Sequence, residues 1–349
     1  MQSSNTMITA ILDRARAGIP PERRDCRQLL SLAEDAPETD QLLSAARQIS
    51  GQRFGVQGVI KAQIGIATHR CSGACSFCGF GDGVTAFQPT VMPVEEVMDR
   101  AVALAASGEL HALLLMTMHD YQFSRLLKTV SAVRAVLPPC TQLAVNIGDV
   151  DTHQARELAG AGVGGAYHVC RLGEGVDTAL DPVARRQSIR AFREAGIDWY
   201  TCCEPIGPEH TPAELVEQIF LGIEYGCYQH AAMRRIPLPG TPMAARGQIS
   251  EARLAQITAV VTLASLALPG LTAVSVHEPN LPSLLAGANG LSAEAGANPR
   301  DTAQNTEAGR GWSIERCKAL LRQAGYRELL RADGTTMPLQ LHPSFSTKE

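Results

Sequence analysis

Three kinds of sequence feature are absent, and each absence excludes a class of protein. No apolar stretch reaches the roughly 18 to 20 residues of a membrane-spanning helix, so no membrane span is expected. No run of Lys or Arg stands out, and the formal net charge is −4 with a pI near 6.2, which predicts no nucleic-acid partner. The start, Met1 to Asn5, lacks a basic segment followed by an apolar one. We therefore expect no signal peptide and a cytoplasmic protein.

Familiar catalytic motifs are also missing: there is no Ser-His-Asp order, phosphate-binding P-loop or zinc-protease motif. Ten cysteines in 349 residues do not indicate the disulfide framework of a small secreted domain. What the chain does contain is a cysteine loop, residues 70–81. It places Cys71, Cys75 and Cys78 at the spacing C-x₃-C-x₂-C, directly after the apolar run Val59 to Ala67.

The spacing of the three cysteines indicates a metal centre. Three thiolates on one short, glycine-bearing loop suit an iron–sulfur cube whose fourth iron has no protein ligand. Such an iron is open for chemistry, as the open position of a catalytic zinc site is. Two alternatives stay open at this point: a zinc site with a distant fourth ligand, and three unrelated core cysteines.

The rest of the chain predicts an α/β protein, a (β/α)₈ TIM-type barrel with an N-terminal helical extension and a short C-terminal helix and tail. Eight short apolar runs alternate with amphipathic segments, which indicates a parallel sheet. Their predicted ranges are 56–66, 111–119, 141–149, 165–170, 199–205, 230–237, 271–278 and 290–295. A flat doubly wound sheet is the alternative, but the cysteine loop occupies the place of its phosphate-binding glycines.

The predicted organisation has three parts. Residues 1–50 form helices that brace the barrel, because Ile8, Ile11, Leu12 and Ala15 recur at helical spacing. Residues 51–310 form the barrel, and residues 311–349 form the C-terminal helix and tail.

Polar residues follow the predicted strands, where the reactive groups of such a barrel gather. Arginines at a barrel mouth suit carboxylates or phosphates, although salt bridges to Glu204, Glu278 and Glu294 are an equally good interpretation. Only one of Arg234 and Arg235 should face the lumen, because side chains alternate along a strand. The predicted substrate-binding residues are Tyr200, Glu204, Arg234, Arg235 and His277.

The cysteine loop resembles the signature of the radical S-adenosylmethionine superfamily. This resemblance implies that Cys71, Cys75 and Cys78 hold a 4Fe–4S cluster and that its open iron chelates S-adenosylmethionine. It also implies reductive cleavage to a 5′-deoxyadenosyl radical, which takes a hydrogen atom from the substrate. Phe77 matches the position beside the adenine, and a core aromatic is the plain alternative.

Over most of its length the chain is similar to the biotin synthase-like branch. The segments that carry this resemblance are Ala161–Val163, His168–Glu174, Arg185–Ile197, Pro239–Pro242, Gly287–Asn289 and Asn298–Pro299. The resemblance implies that Arg185 holds the S-adenosylmethionine carboxylate, with Arg186 as the neighbouring register, and that Arg171 lies near the ribose or methionine part. Where the branch has a Gly-Glu element after strand two, this chain has Met116 to Asp120, so Thr117 and His119 are the expected substitutes.

A second departure concerns the sacrificial 2Fe–2S cluster of biotin synthase, which cysteines on several barrel strands hold. Here the strand-three position aligns near Ala144, and only strand five has cysteines, Cys202 and Cys203. One strand cannot supply a comparable cage, so sulfur insertion is not expected. One of the two thiols could donate a hydrogen atom, although buried cysteine is also a common core residue.

The remaining relatives are methylornithine synthase and the radical enzymes that mature hydrogenase active sites. The leading hypothesis is hydrogen abstraction from a small polar, carboxylate-bearing substrate, followed by rearrangement, fragmentation or carbon transfer. Lyase, mutase and transferase chemistry all stay open. An electron donor such as flavodoxin or ferredoxin is the expected partner. The alternatives are a maturase that builds a metallocofactor ligand and a non-catalytic metal-binding module.

Overall fold

The computed structural model describes residues 2–81, 84 and 88–341, with side chains from Thr6 onward. The described α-helices are α1 Gln2–Arg16, α2 Arg23–Leu30, α3 Pro37–Phe54, α4 Val94–Ala105, α5 Phe123–Val136, α6 Thr152–Gly160, α7 Pro182–Glu194, α8 Pro212–Glu224, α9 Glu251–Ala264, α10 Leu281–Leu285 and α11 Ile314–Gln323. The described strands are β1 Gln57–Gly65, β2 Ala67–Thr68, β3 Thr90–Val91, β4 Ala112–Met116, β5 Gln142–Asn146, β6 Gly165–Tyr167, β7 Asp198–Tyr200, β8 Cys203–Ile206, β9 Gln229–Arg234, β10 Ala273–Val276, β11 Gly290–Gly296, β12 Glu328–Leu330 and β13 Thr336–Pro338.

A closed parallel barrel forms the centre of the fold. Its strands follow the order β1-β4-β5-β6-β7-β9-β10-β11, and β11 pairs with β1 again. Residues 59–65 of β1 lie in parallel register with residues 290–296 of β11, so the sheet has no open edge at this point. The predicted (β/α)₈ barrel is confirmed, and the flat doubly wound alternative is wrong.

The fifth position of the barrel departs from the prediction of one strand over 199–205. The chain makes two short strands there, β7 and β8, and both lie beside β9. The alternation of side chains continues across the break. Cys202 packs in the lumen with Tyr167 and Tyr200, whereas Cys203 packs in the core outside the barrel wall. The two neighbouring thiols therefore lie on opposite faces of the wall.

The N-terminal helices pack on the outside of the barrel. Helix α2 contacts α8 and α9, and α3 contacts α9. The predicted apolar stripe of Ile8, Ile11, Leu12 and Ala15 is buried. Arg53, near the end of α3, donates to the carbonyl of Ser265 at 2.7 Å. The N-terminal helices therefore pack against the barrel, and a bracing role for residues 1–50 stays a prediction.

The C-terminal part contains a hairpin that the sequence prediction did not include. After α11, the strands β12 and β13 pair antiparallel. Strand β12 also extends the sheet beside the start of β1, where Gln57 pairs with Glu328. The hairpin therefore lies at the end of the barrel opposite the cysteine loop. The last part of the predicted tail, residues 342–349, lies outside the described residues.

The cysteine loop begins just after β1, at the C-terminal end of the barrel. Strands β2 and β3 pair antiparallel on either side of it, and the hydroxyls of Thr68 and Thr90 lie 2.7 Å apart. Gly65, the last residue of β1, lies so close to the next turn that a Cβ would come within 1.9 Å of the Ala297 carbonyl oxygen. Glycine is therefore required where β1 leads into the loop.

In the described part of the chain, no helix is both long and apolar enough to cross a bilayer.

Candidate active site

A cavity of about 170 Å³ opens at the C-terminal ends of the barrel strands. It contains most of the residues that the sequence singled out. The predicted residues that line it are Cys71, Cys75, Phe77, Cys78, Thr117, His119, Arg171, Arg185, Glu204, Arg235 and His277. Tyr200, Cys202, Cys203 and Arg234 are predicted residues that do not line it.

The cysteine loop is held from several directions by hydrogen bonds. The Asp120 carboxylate accepts from both the backbone N–H and the hydroxyl of Ser72, each at 2.6 Å. On another side, the N–H of Ser76 donates to the carbonyl of Asp177 at 2.8 Å. A loop fixed in this way presents its thiols with little freedom, which lowers the entropy cost of binding a metal.

Close backbone packing holds the end of the loop. The N–H of Gly79 donates to the carbonyl of Pro299 at 2.7 Å. A Cβ at Gly79 would lie 3.0 Å from the carbonyl oxygens of both Pro299 and Asp301, so a larger side chain would push the loop away. Ala74, between the first two cysteines, has a φ of 41°, a region that non-glycine residues rarely adopt.

The donor set of the loop fits an iron–sulfur cluster. All three cysteines are free thiols, and thiolates are the ligands of such clusters. Burial raises the pKa of Cys75 to about 11 and that of Cys78 to about 12, so binding of metal would release protons. Among the described residues, no carboxylate or imidazole completes a compact three-ligand group with these thiols. A centre with one position lacking a protein ligand fits this arrangement.

Ion pairs occupy the arginines next to the loop. Nε of Arg171 lies 3.1 Å from Oε1 of Glu204. Arg185 faces inward from α7, donates to the carbonyl of Val169 at 2.9 Å and pairs with Asp149 at 3.0 Å. The neighbouring Arg186 is exposed, so Arg185 is the one of the two that reaches the cavity.

A hydrogen-bonded group of side chains lies below these arginines. The Tyr167 hydroxyl bonds to the Glu204 carboxylate and lies 3.2 Å from Nδ1 of His277. One ligand atom each of Cys202, Glu204 and His277 lies within 4.8 Å of the others. Burial, helped by Lys61 and Arg300, holds the pKa of His277 well below its usual range, so its imidazole is neutral at pH 7.

The two arginines that end β9 point in different directions. Arg235 lines the cavity, is 1% exposed and pairs with Glu209. Arg234 lies outside the cavity and pairs with Glu278. Both arginines therefore form salt bridges. The partner of Arg234 is one of the carboxylates that the salt-bridge interpretation named, whereas Glu209, the partner of Arg235, is not.

Lys61 is a residue of the cavity that the sequence prediction missed. It is 3% exposed, and its Nζ donates to Oε1 of Gln229 at 2.9 Å and to Oγ of Ser275 at 3.1 Å. The ring of Tyr200, which lies below the cavity, is centred 5.5 Å away. Burial lowers the pKa of Lys61 to about 8. A lone cation inside the apolar run of β1 was the signal that could have identified it.

The comparisons with known proteins agree with this architecture. No protein-family profile matches the chain. A curated biotin synthase from Kocuria rhizophila is 23% identical over 268 residues, which cover 72% of this chain and 55% of that protein. The chain thus spans about half the length of the curated relative it matches.

Solved structures with a similar fold include a hydrogenase maturase and a methylornithine synthase. The hydrogenase maturase HydG from Carboxydothermus hydrogenoformans has a TM-score of 0.76 at 16% identity, covering 94% of this chain and 80% of its own. Methylornithine synthase, PylB, has a TM-score of 0.71 at 18% identity, covering 90% of this chain and 95% of its own. At these identities the likeness shows a common barrel fold.

Replacement of Lys61 by Met should make stability depend on pH in a defined way. Because the pKa of Lys61 is about 8 when folded against a usual 10.5, the folded state bears an unfavourable buried charge below pH 8. That cost is relieved between pH 8 and 10.5, since the unfolded chain then binds more protons. The free energy of unfolding of Lys61→Met relative to wild type should therefore fall by about 3 kcal/mol across this window. Chemical denaturation of both proteins at several pH values measures this difference, and a constant difference would contradict it.

Proposed function

We propose that this chain is a member of the radical S-adenosylmethionine superfamily, in its biotin synthase-like branch. It would cleave S-adenosylmethionine reductively and abstract hydrogen from a small polar, carboxylate-bearing substrate. One observation carries the proposal. The thiols of Cys71, Cys75 and Cys78 line the same cavity as the polar strand ends of the barrel. Metal centre and substrate would therefore share one enclosed space.

Cys71, Cys75 and Cys78 would hold the cluster, which together with S-adenosylmethionine would supply the radical chemistry. One electron would cleave the sulfonium to methionine and a 5′-deoxyadenosyl radical, and this radical would take a hydrogen atom from the substrate to give 5′-deoxyadenosine. The protein supplies position and exclusion of water. The electron comes from a donor of the flavodoxin or ferredoxin class. The reducing environment that such a centre needs fits the cytoplasm.

We assign the S-adenosylmethionine side of the cavity to the residues beside the cysteine loop. Phe77, Thr117 and His119 line it near the thiols, and Nδ1 of His119 is buried with no partner among the described residues. Arg171 and Arg185 line the same cavity. They already pair with Glu204 and Asp149. We therefore propose that they contact the cofactor while these ion pairs stay formed.

We assign the substrate side to polar residues at the ends of the neighbouring strands β8, β9 and β10. Glu204, Arg235 and His277 line the cavity, which supports direct contact with substrate. Tyr200 lies beneath it and bonds to Gln142, and Arg234 pairs with Glu278 outside it. For Tyr200 and Arg234 we therefore propose an indirect part in substrate binding.

Replacement of Cys75 by Ala should abolish both iron binding and cofactor cleavage, because two thiols cannot hold the cluster. The measurement is anaerobic reconstitution, followed by iron analysis and by assay of 5′-deoxyadenosine and methionine with a strong reductant. Wild type should bind about four irons per chain and release both products. Cys140→Ala is the matched control, since Cys140 lies outside the cavity. Zinc in place of iron would favour the non-catalytic metal-binding module.

We propose that Cys202, rather than Cys203, returns a hydrogen atom to a radical in the lumen. Cys202 is buried and faces inward. Burial and the charge of Glu204 hold its pKa well above the usual range, so the S–H bond that a donor needs stays intact at neutral pH. Donation leaves a thiyl radical, which one electron from the same donor class and one proton restore.

Deuterium labelling distinguishes the two thiols. In D₂O without substrate, the 5′-deoxyadenosyl radical should take deuterium from the exchanged thiol of Cys202 and yield monodeuterated 5′-deoxyadenosine. Mass spectrometry should show the label in wild type and in the matched control Cys203→Ser. Cys202→Ser should lose most of it, since an O–H bond is a poor hydrogen-atom donor. Undiminished label in Cys202→Ser would contradict the assignment.

A maturase that builds a metallocofactor ligand is the second candidate function. The group of Cys202, Glu204 and His277 favours it, because thiolate, carboxylate and imidazole are ligands of transition metals and their atoms lie within 4.8 Å. Such a group could hold the metal of a metal-containing substrate. A maturase of this kind would bind metal in the lumen as well as at the cysteine loop.

Cobalt binding tests the second candidate. A variant with Cys71, Cys75 and Cys78 all replaced by Ala leaves the lumen group as the remaining compact metal-binding group among the described residues. If the protein is a maturase, this variant should bind one Co²⁺ and show thiolate-to-cobalt charge-transfer absorption. A further Cys202→Ser substitution should remove that absorption. A variant that melts normally but shows no such absorption would exclude a lumen metal and leave the first candidate.

A further inference from the structure

We infer that Lys61 and Gln229 form a subsite, deep in the barrel lumen, that binds the carboxylate of a short-chain organic acid. The assignment of that acid as the substrate rests on the proposed function. The anion subsite itself rests on charge balance, hydrogen-bond donors and position in the barrel.

Charge balance singles out Lys61 among the cationic residues of the cavity. The arginines that line it each have a carboxylate partner: Glu204 for Arg171, Asp149 for Arg185, Glu209 for Arg235 and Glu294 for Arg300. No carboxylate among the described residues forms an ion pair with Lys61. A buried cation without a counter-ion is costly, and a bound anion would remove that cost.

The hydrogen-bond donors at this point are also incompletely used. The Lys61 ammonium has three N–H donors, and its hydrogen bonds to Gln229 and Ser275 use two of them. The Gln229 side-chain atom that accepts from Lys61 is the amide oxygen. The other terminal atom of this amide is therefore the nitrogen, a hydrogen-bond donor. That nitrogen is buried with no partner in the described part of the chain. Two donors side by side match the two oxygens of a carboxylate.

The position of Lys61 sets the orientation of the ligand. Lys61 lies on β1 four residues before Gly65, which is about 13 Å along the strand and about 11 Å along the barrel axis. The cysteine loop follows Gly65 at the other end of the same cavity. An acid held by its carboxylate at Lys61 would direct its hydrocarbon part toward the loop. The reacting carbon would therefore be remote from the carboxylate.

A structural role for Lys61 fits these observations less well. Lumen positions of such barrels are mostly filled by apolar branched side chains, and an apolar residue here would avoid the cost of burying a charge. Polar side chains of Gln63, Asn146 and Ser292 line the same cavity as Lys61, whereas Tyr200 and Ala231 pack in an apolar cluster of the lumen. A buried cation that no carboxylate of the described residues compensates suits an anionic ligand.

The experiment compares acids with their neutral amides on the reconstituted enzyme with S-adenosylmethionine bound. The probes are straight-chain acids from acetate to hexanoate and the matching primary amides, with dissociation constants from calorimetry. In wild type, the best-fitting acid should bind at least tenfold more tightly than its amide. Its affinity should fall as the pH rises above about 8, where Lys61 loses its proton.

Variants locate the effect. Lys61→Met should abolish the preference for acid over amide, and Gln229→Leu should reduce it severalfold. Lys61→Met removes a buried charge, so its melting temperature should not fall, which separates lost binding from misfolding. The matched control is Lys128→Met, because Lys128 is exposed on α5; this variant should keep the wild-type preference.

Three outcomes would overturn the subsite: no acid binds to wild type, the amides bind as tightly as the acids, or Lys61→Met retains the preference. Failure of the proposed function would look different. An enzyme that cleaves S-adenosylmethionine but binds acids and amides alike lacks the subsite alone. An enzyme that prefers acids but releases no 5′-deoxyadenosine has the subsite without the radical chemistry.

Discussion

The pairing of β1 with β11 is the constraint on which the rest of the structure depends. It closes the barrel along residues 59–65 and fixes β1 as the wall that bears both ends of the cavity. The cysteine loop follows the C-terminal end of this strand, and Lys61 lies four residues before that end. Gly65 is required where the strand meets the Ala297 turn. One strand therefore sets the distance between the proposed metal centre and the proposed anion subsite.

Electrostatics divides the cavity into two regions. Near the loop, Arg171 and Arg185 already have carboxylate partners, so their charges are compensated before any ligand binds. Deeper in the barrel, no carboxylate of the described residues pairs with Lys61. An anionic group of a ligand gains the most binding free energy beside a buried cation that has no carboxylate partner. The Arg, His and Glu residues of the barrel mouth suggested a carboxylate-bearing substrate from the sequence. The structure leads us to propose the same kind of ligand but a different residue, Lys61, to bind it.

Much of the fold and part of the site could be predicted from sequence because they depend on local patterns. Alternating strands and helices predicted the barrel, and the two-residue period explains why Arg235, but not Arg234, reaches the cavity. The break between β7 and β8 and the short hairpin β12–β13 left no comparable pattern, since each of these strands spans three or four residues. The pairing state of each cation depends on residues distant in sequence. Lys61 was therefore missed, although a lysine within an apolar strand is itself a signal.

The central claim is that the three thiols of the cysteine loop hold a cluster with one iron open to S-adenosylmethionine. Electron paramagnetic resonance of the anaerobically reconstituted, reduced protein tests it most directly. The account predicts the signal of a reduced 4Fe–4S cluster, and a change in its g-values when S-adenosylmethionine is added. A protein without this signal, or with a signal that S-adenosylmethionine leaves unchanged, would contradict the account.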